Sequence, residues 1–335
     1  MKFIKKIISS PTPPIQNVIR ASDGINLAYT TFAVDKPISS MIFLHGGGAH
    51  SLAGYTFMAE QLCQKYQIAT YLFDIRGHGQ SGGERGHTPY IHQVWDDISS
   101  AIIFLKQNYG DIPLYLGGHS SGAGLILNYA AWAKRLPVDS YIMVAPEFGY
   151  KAPVKNELTE SEHPFVTVSL PVILANAVSG FFGSSRAVTF NYSKEQIEQD
   201  GLLSGYTVNM CKAVTPSDPV TVLKNLEKPT SIFISEQDEL INATKLAEFL
   251  HPILCKNPKL SFQTLKTGGH LLILESVHKQ IAQYIYQLQM VKDHDIKEEF
   301  DIMHQVVNTF TLDDLTVKEQ DNDSVDIIGK DNSKL

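Results

Sequence analysis

The stretch Leu114-Tyr115-Leu116-Gly117-Gly118-His119-Ser120-Ser121-Gly122-Ala123-Gly124 constrains this chain more than any other. A short apolar run leads into a serine with glycine two positions away on either side, and an apolar segment of helical character follows. Such a pattern fits a buried strand that turns sharply into a helix. On that turn a serine oxygen stands clear of the strand ends, and side chains larger than hydrogen at Gly118 and Gly122 would collide with it. The five-residue pattern alone arises by chance in about one chain in ten of this size, so its weight comes from the flanking strand and helix signals. Without them it is a glycine-rich helix start capped by a serine.

The rest of the sequence extends the same theme. Residues 17–21 and 25–32 read as two strands around the turn Ser22-Asp23-Gly24. Strand runs at 41–44, 68–75, 114–116 and 141–144 alternate with helical stretches at 52–66, 90–109 and 121–134. The strand runs are continuously apolar, as in a parallel sheet covered on both faces, so the fold class is α/β. The rhythm stops at Pro146 and resumes at 231–234, followed by a helix at 243–250, a strand at 260–265 and one long helix at 271–291. We therefore divide the chain into an N-terminal segment 1–14, a core of 15–146 and 227–291, an inserted cap at 147–226 with several short helices, and an acidic extension at 292–335. The extension starts with a helix at 296–307 and is expected to be disordered from about Lys318.

A serine hydroxyl needs a base to become a nucleophile, and the base needs an acid to fix its tautomer. Thr267-Gly268-Gly269-His270 follows the last strand run, so His270 sits in a glycine-hinged loop and is our candidate base. Ser235-Glu236-Gln237-Asp238-Glu239 follows the preceding strand run, and Asp238 is the candidate acid; Glu236 and Glu239 stay open as alternatives, or as solvated neighbours. The chain order Ser120, Asp238, His270 is the order that goes with a strand–turn–helix nucleophile. Oxyanion donors are expected from the N–H groups of Ser121 and of Gly47, in His45-Gly46-Gly47-Gly48 after the first parallel strand. His45 and His78 read as hydrogen-bonded scaffolding and His119 as locked in the turn. The glycine run lacks the lysine of a phosphate loop and any dinucleotide fingerprint, and the histidines lack metal-site spacing, so no cofactor and no metal are expected.

Together these segments resemble the α/β-hydrolase superfamily, and within it the monoacylglycerol lipase and lysophospholipase branch. That branch carries Asp-x-Arg-Gly-His-Gly-x-Ser-x-Gly, here Asp74-Ile75-Arg76-Gly77-His78-Gly79-Gln80-Ser81-Gly82-Gly83. It also carries His-Gly after the first parallel strand, matched by His45-Gly46, and late Asp and Gly-His loops, matched by Asp238 and Gly269-His270. The resemblance covers residues 15–290. It implies a mostly parallel sheet with helices on both faces, an inserted cap, and ester hydrolysis by a serine triad. This chain departs from many relatives at Ser121-Gly122-Ala123-Gly124, where they have Met-Gly-Gly, and in its acidic tail.

The expected substrate is a small-molecule ester or lipid, a monoacylglycerol or lysophospholipid. A generic carboxylesterase or thioesterase is the alternative, and a non-catalytic ligand-binding protein on the same fold is the rival from another class. A peptidase fits less well, because no device for a peptide amine is evident. Net charge is -7, but 12 Asp/Glu against 4 Lys/Arg lie in residues 293–335, so the remainder is close to neutral. With no basic patch, nucleic acid is excluded as a partner. Three scattered cysteines suggest a reduced, cytoplasmic setting. Lys2, Lys5 and Lys6 among isoleucines leave a transient membrane-surface contact open, against the simpler reading of a frayed terminus. Oligomeric state is not legible.

Overall fold

In the computed structural model, which describes residues 16–156, 164–266, 268–292, 315–319 and 325–329, the apolar runs form one eight-stranded sheet. Its strands are β1 (Gln16–Arg20), β2 (Asn26–Phe32), β3 (Ser39–Leu44), β4 (Ile68–Phe73), β5 (Leu114–His119) and β6 (Ser140–Val144), with β10 (Thr230–Ser235) and β11 (Leu260–Leu265) at the far edge. Three short strands, β7 (Val166–Val168), β8 (Arg186–Phe190) and β9 (Gly205–Thr207), lie between β6 and β10 in the chain and pair separately. The spatial order is β1-β2-β4-β3-β5-β6-β10-β11. All neighbours from β4 to β11 run parallel; β2 is antiparallel to both β1 and β4.

Alternate residues of each strand feed opposite faces, because successive side chains of a strand point to opposite sides. Ile42, Leu44, Leu116 and Met143 pack with helices Gln93–Tyr109, Ser121–Ala131 and Ala243–Leu254. Met41, Phe43, Tyr115 and Ile142 pack with helices Thr56–Tyr66 and His278–Lys292. Both faces are therefore dry, which accounts for the unbroken apolar runs.

The structure corrects the expectations in three places. Residues 271–291 are not one helix: Leu272–Glu275 form a 3-10 turn, and the α-helix starts at His278. Ile273, Leu274, Val277 and Ile281 are all buried and would share one stripe of a continuous helix, so their spacing gives no sign of the break. The segment between β6 and β10 contains an antiparallel sheet, β7-β8-β9, that the sequence did not reveal. Strands of three to five residues are too short for a clear period-2 signal. In the acidic extension, β12 (Leu315–Glu319) and β13 (Val325–Gly329) pair antiparallel where disorder was expected. Val317, Val325, Ile327 and Ile328 supply local β-propensity that the charge count outweighed. The N-terminal segment and the helix expected at 296–307 lie outside the described residues. Among the described residues no helix is long and apolar enough to cross a membrane.

Candidate active site

Parallel strands collect their following loops at one edge of the sheet, and ligands of open α/β sheets bind there. β3 delivers His45 to Gly48, β4 delivers Asp74 to Gly83, β5 delivers Ser120, β10 delivers Asp238, and β11 delivers His270.

Ser120 occupies the turn between β5 and helix Ser121–Ala131 with φ 55° and ψ -121°, a region that favours glycine. The conformation is over-determined by hydrogen bonds. The Ser120 N–H donates to the Val144 carbonyl, and its carbonyl accepts from Ala123, Gly124 and Glu147. The two flanking glycines are required by packing. A Cβ on Gly118 would lie 2.7 Å from Gly122 backbone atoms, and one on Gly122 would lie 2.5 Å from the His45 carbonyl oxygen.

Asp238 and His270 are brought together: His270 Nδ1 lies 2.8 Å from Asp238 Oδ2. The second carboxylate oxygen of Asp238 accepts the N–H groups of Leu240 and Ile241 at 2.9 and 2.8 Å. Burial opposes ionisation of Asp238, yet His270 and these N–H donors hold its pKa below the usual 3.8. For His270 burial opposes the charged form, but Asp238 outweighs it, with Glu239 and Glu147 adding, and the pKa is raised above 6.5. An ionised carboxylate only accepts, so Nδ1 carries the proton and Nε2 is the basic nitrogen. The His270 ring lies 4.7 Å from the His119 ring, next to Ser120. Among the described residues no hydrogen bond joins the Ser120 hydroxyl to His270, whose engaged nitrogen is Nδ1.

Glu236 and Glu239 are both exposed, but Glu239 is not merely solvated as one sequence reading had it. Its carboxylate accepts the His270 backbone N–H at 2.7 Å and so anchors the loop. On the other side of that loop, the Ser235 hydroxyl donates to the Gly268 carbonyl.

The glycine loop after β3 is the most organised part of the site. The Gly46 N–H donates to the Tyr55 hydroxyl at 2.7 Å, and the Gly48 N–H donates to the Tyr206 hydroxyl at 2.8 Å. Between them the Gly47 N–H has no protein acceptor among the described residues, while the Gly47 carbonyl accepts from the Tyr192 hydroxyl at 2.9 Å. Gly47 lies beside Ser121: a Cβ on Gly47 would be 3.5 Å from Ser121 Oγ. The Ser121 N–H, in the first turn of its helix, is likewise unclaimed by backbone among the described residues.

Each tyrosine that accepts an N–H donates its own O–H in a hydrogen bond to a buried neutral histidine. His119 Nε2 lies 2.8 Å from the His270 carbonyl, which only accepts, so Nδ1 is free to accept from Tyr55 at 3.0 Å. His78 Nδ1 lies 2.9 Å from the Arg76 carbonyl, so Nε2 accepts from Tyr206 at 2.8 Å. Burial, with the neighbouring His270, pushes the His119 pKa down to about 3; burial, with His45, also lowers that of His78 far below 6.5. His45 completes the scaffold: Nδ1 donates to the Gly46 carbonyl, Nε2 accepts from Ile75 N–H, and burial lowers its pKa to about 4. Asp74 ties the neighbouring loops by accepting the N–H groups of Ser51 and Gln80 at 2.7 and 2.8 Å. Tyr55, Tyr192 and Tyr206 were not singled out from the sequence, and Glu239 was considered only as an alternative acid or a solvated neighbour. Tyr206 is 158 positions from Gly48 and Tyr192 is 145 from Gly47, and nothing local marks such pairings.

Residues 35–277 match the family model Hydrolase_4, described as serine aminopeptidase, S33. The chain is 39% identical over 99 residues to a putative monoglyceride lipase of Schizosaccharomyces pombe, covering 28% of this chain and 25% of that protein. It is 32% identical over 93 residues to the monoglyceride lipase of Homo sapiens, covering 28% and 30% respectively. The aligned stretches thus span about a third or less of these relatives. The fold matches a soluble variant of monoglyceride lipase from Saccharomyces cerevisiae, solved with a substrate analogue, at TM-score 0.63 and 17% identity over 84% of this chain and 97% of that one. With a family match across most of its length and this sheet order, the chain belongs to the serine aminopeptidase S33 family of α/β-hydrolases.

Proposed function

We propose that this chain is a serine hydrolase that cleaves carboxylic esters through an acyl-enzyme, with a lipid monoester such as a monoacylglycerol or lysophospholipid as substrate class. The observation that carries the reading is the 2.8 Å contact between Asp238 and His270 beside a serine held at φ 55°. In the proposed reaction Ser120 attacks the ester carbonyl while His270 Nε2 takes its proton. Asp238 stabilises the imidazolium so formed. The carbonyl oxygen, now negative, is held by the N–H groups of Gly47 and Ser121, the two that the surrounding scaffold leaves unclaimed. The alcohol leaves with the proton from His270, and water repeats the sequence on the acyl-enzyme. Bonds between nucleophile and base are often long without substrate and tighten once it binds, so the absent Ser120–His270 bond is compatible with this route.

Three things favour a lipid ester. The relatives named above are called monoglyceride lipases. The inserted segment carries exposed Leu170, Leu174, Val178, Phe181 and Phe182, apolar surface suited to an acyl chain. The acidic side chains nearest His270 already have partners: Asp238 and Glu239 on the His270 loop, and Glu147 on the Gly149 N–H at 2.8 Å. The test is a panel of p-nitrophenyl esters from acetate to palmitate, a monoacylglycerol, a lysophosphatidylcholine and an alanine p-nitroanilide. The expected result is a kcat/KM that rises with acyl length and turnover of at least one lipid. A flat preference for acetate removes the lipid reading, and selective cleavage of the anilide replaces it with a peptidase.

A further inference from the structure

The three glycines after β3 have no side chains with which to hold themselves, so their orientation is set from outside. Tyr55 comes from the core, nine residues on from Gly46. Tyr192 and Tyr206 come from the segment inserted between β6 and β10. Phe190, on β8, packs close against the loop: a Cβ on Gly47 or Gly48 would meet its ring at 3.1 or 2.8 Å. The rings of Phe190, Tyr192 and Tyr206 also pack on one another, with Phe190–Tyr206 centroids 4.8 Å apart at 89°.

The polarity of these bonds is fixed. Because the Arg76 carbonyl claims the His78 Nδ1 proton, Tyr206 must donate to Nε2, and its oxygen lone pairs face the Gly48 N–H. That bond commits the Gly48 N–H to Tyr206. Tyr192 pulls the Gly47 carbonyl in the opposite direction. A peptide plane is rigid, so a held Gly47 carbonyl and a held Gly48 N–H, the two polar atoms of one peptide unit, fix that unit at both ends. The Gly47 N–H projects from the adjoining Gly46–Gly47 peptide, whose carbonyl accepts from His45 Nδ1 at 3.0 Å and from the Ala49 N–H at 3.2 Å, so with both peptides flanking the Gly47 Cα held, its N–H keeps one direction.

We propose that the inserted segment forms part of the oxyanion-binding device, with Tyr192 and Tyr206 as positioning residues that aim the Gly47 N–H. This rests on the reading of Ser120 as nucleophile. It gives the segment a second task beyond covering the site. A segment that lifted off as a rigid body would release both ends of the Gly47–Gly48 peptide.

The test uses the full chain and the variants Tyr206→Phe and Tyr192→Phe, which keep the rings and delete only the hydroxyls. Active sites are first counted by titration with a fluorophosphonate, and kcat is expressed per titrated site with a p-nitrophenyl ester. The expected result for Tyr206→Phe is a kcat lower by about tenfold or more with KM within about twofold, since a misaimed donor acts on the transition state. Tyr192→Phe moves the same way. Affinity for an alkyl boronic acid, which forms a tetrahedral adduct, falls by the same factor as kcat. If kcat per titrated site equals wild type in both variants, the tyrosines only support folding and the proposal is overturned. Should one variant fail to fold, the other decides by the same criterion. A wild-type chain that neither labels nor turns over any ester removes the functional reading itself, a result distinct from unchanged variants of an active enzyme.

Discussion

At the residue scale the account turns on a few side chains whose environments are unequal. His270 is buried like His45, His78 and His119, yet its pKa moves up while theirs move down, because it alone bonds a carboxylate. As the proposed base, His270 must be neutral to act, so the acid limb of kcat/KM against pH should titrate above 6.5. Asp238→Asn removes the charge that raises it and favours the wrong tautomer. We expect kcat to fall by ~10⁴ and the acid limb to move to lower pH, which a pH–rate profile of the residual activity will read. A limb that stays in place would detach Asp238 from the base. Gly122→Ala puts a methyl 2.5 Å from the His45 carbonyl and 2.6 Å from that of Leu44, both backbone atoms that cannot rotate away. The expected outcome is a destabilisation of about 1–3 kcal/mol in urea denaturation together with loss of ester turnover. Much of this scale was legible. Ser120, Asp238 and His270 stood out because each follows an apolar run and sits among glycines or acids. The role of Glu239 was not legible, because it follows the same strand as the preferred Asp238 and only the fold shows one on the ring and the other on the backbone.

At the scale of elements, the sheet order follows from patterns that a sequence can carry. Strands buried on both faces read as continuous apolar runs, and six of them in parallel need helices between. The inserted segment resisted reading because its strands are short and their partners are distant in the chain. The helix at 271–291 misled because apolar spacing alone does not distinguish one helix from a 3-10 turn followed by another. The loop after β4 illustrates a motif whose role is mechanical. Arg76 is 1% exposed and bonds Asp97 through Nε and Nη2 at 2.8 and 2.6 Å, and Asp23 through Nη1 at 2.8 Å. It thereby joins the turn before β2 to helix Gln93–Tyr109. Arg76→Leu leaves the buried Asp97 without its partner, and a loss of about 3–5 kcal/mol is expected, read as a lower urea midpoint at unchanged slope. A change within experimental scatter would mean that the motif is not a structural tie.

At the scale of the whole molecule, the buried neutral histidines link stability to pH. His45 and His278 are lowered to about 4, His119 to about 3, and His78 well below 6.5, all chiefly by burial. The unfolded chain protonates these groups near 6.5, and the folded chain does not. Unfolding at pH 5 therefore takes up about three protons or more at these positions, and stability falls as pH drops from 6.5 toward 4. His270 has the opposite sign: its contribution is present below 6.5 and is lost as pH rises through its raised pKa. Denaturation midpoints measured from pH 4.5 to 7 should rise with pH over that window, and a flat profile would mean that the histidines are not held neutral.

The central proposal is that the surroundings of Ser120 make its hydroxyl nucleophilic. Intact-mass and peptide-level mass spectrometry after treatment with a fluorophosphonate tests it directly. The account predicts one adduct per chain, located on the peptide containing Ser120, absent in Ser120→Ala and formed far more slowly in His270→Ala. No adduct on the folded protein, or an adduct on another residue that persists in Ser120→Ala, would contradict it.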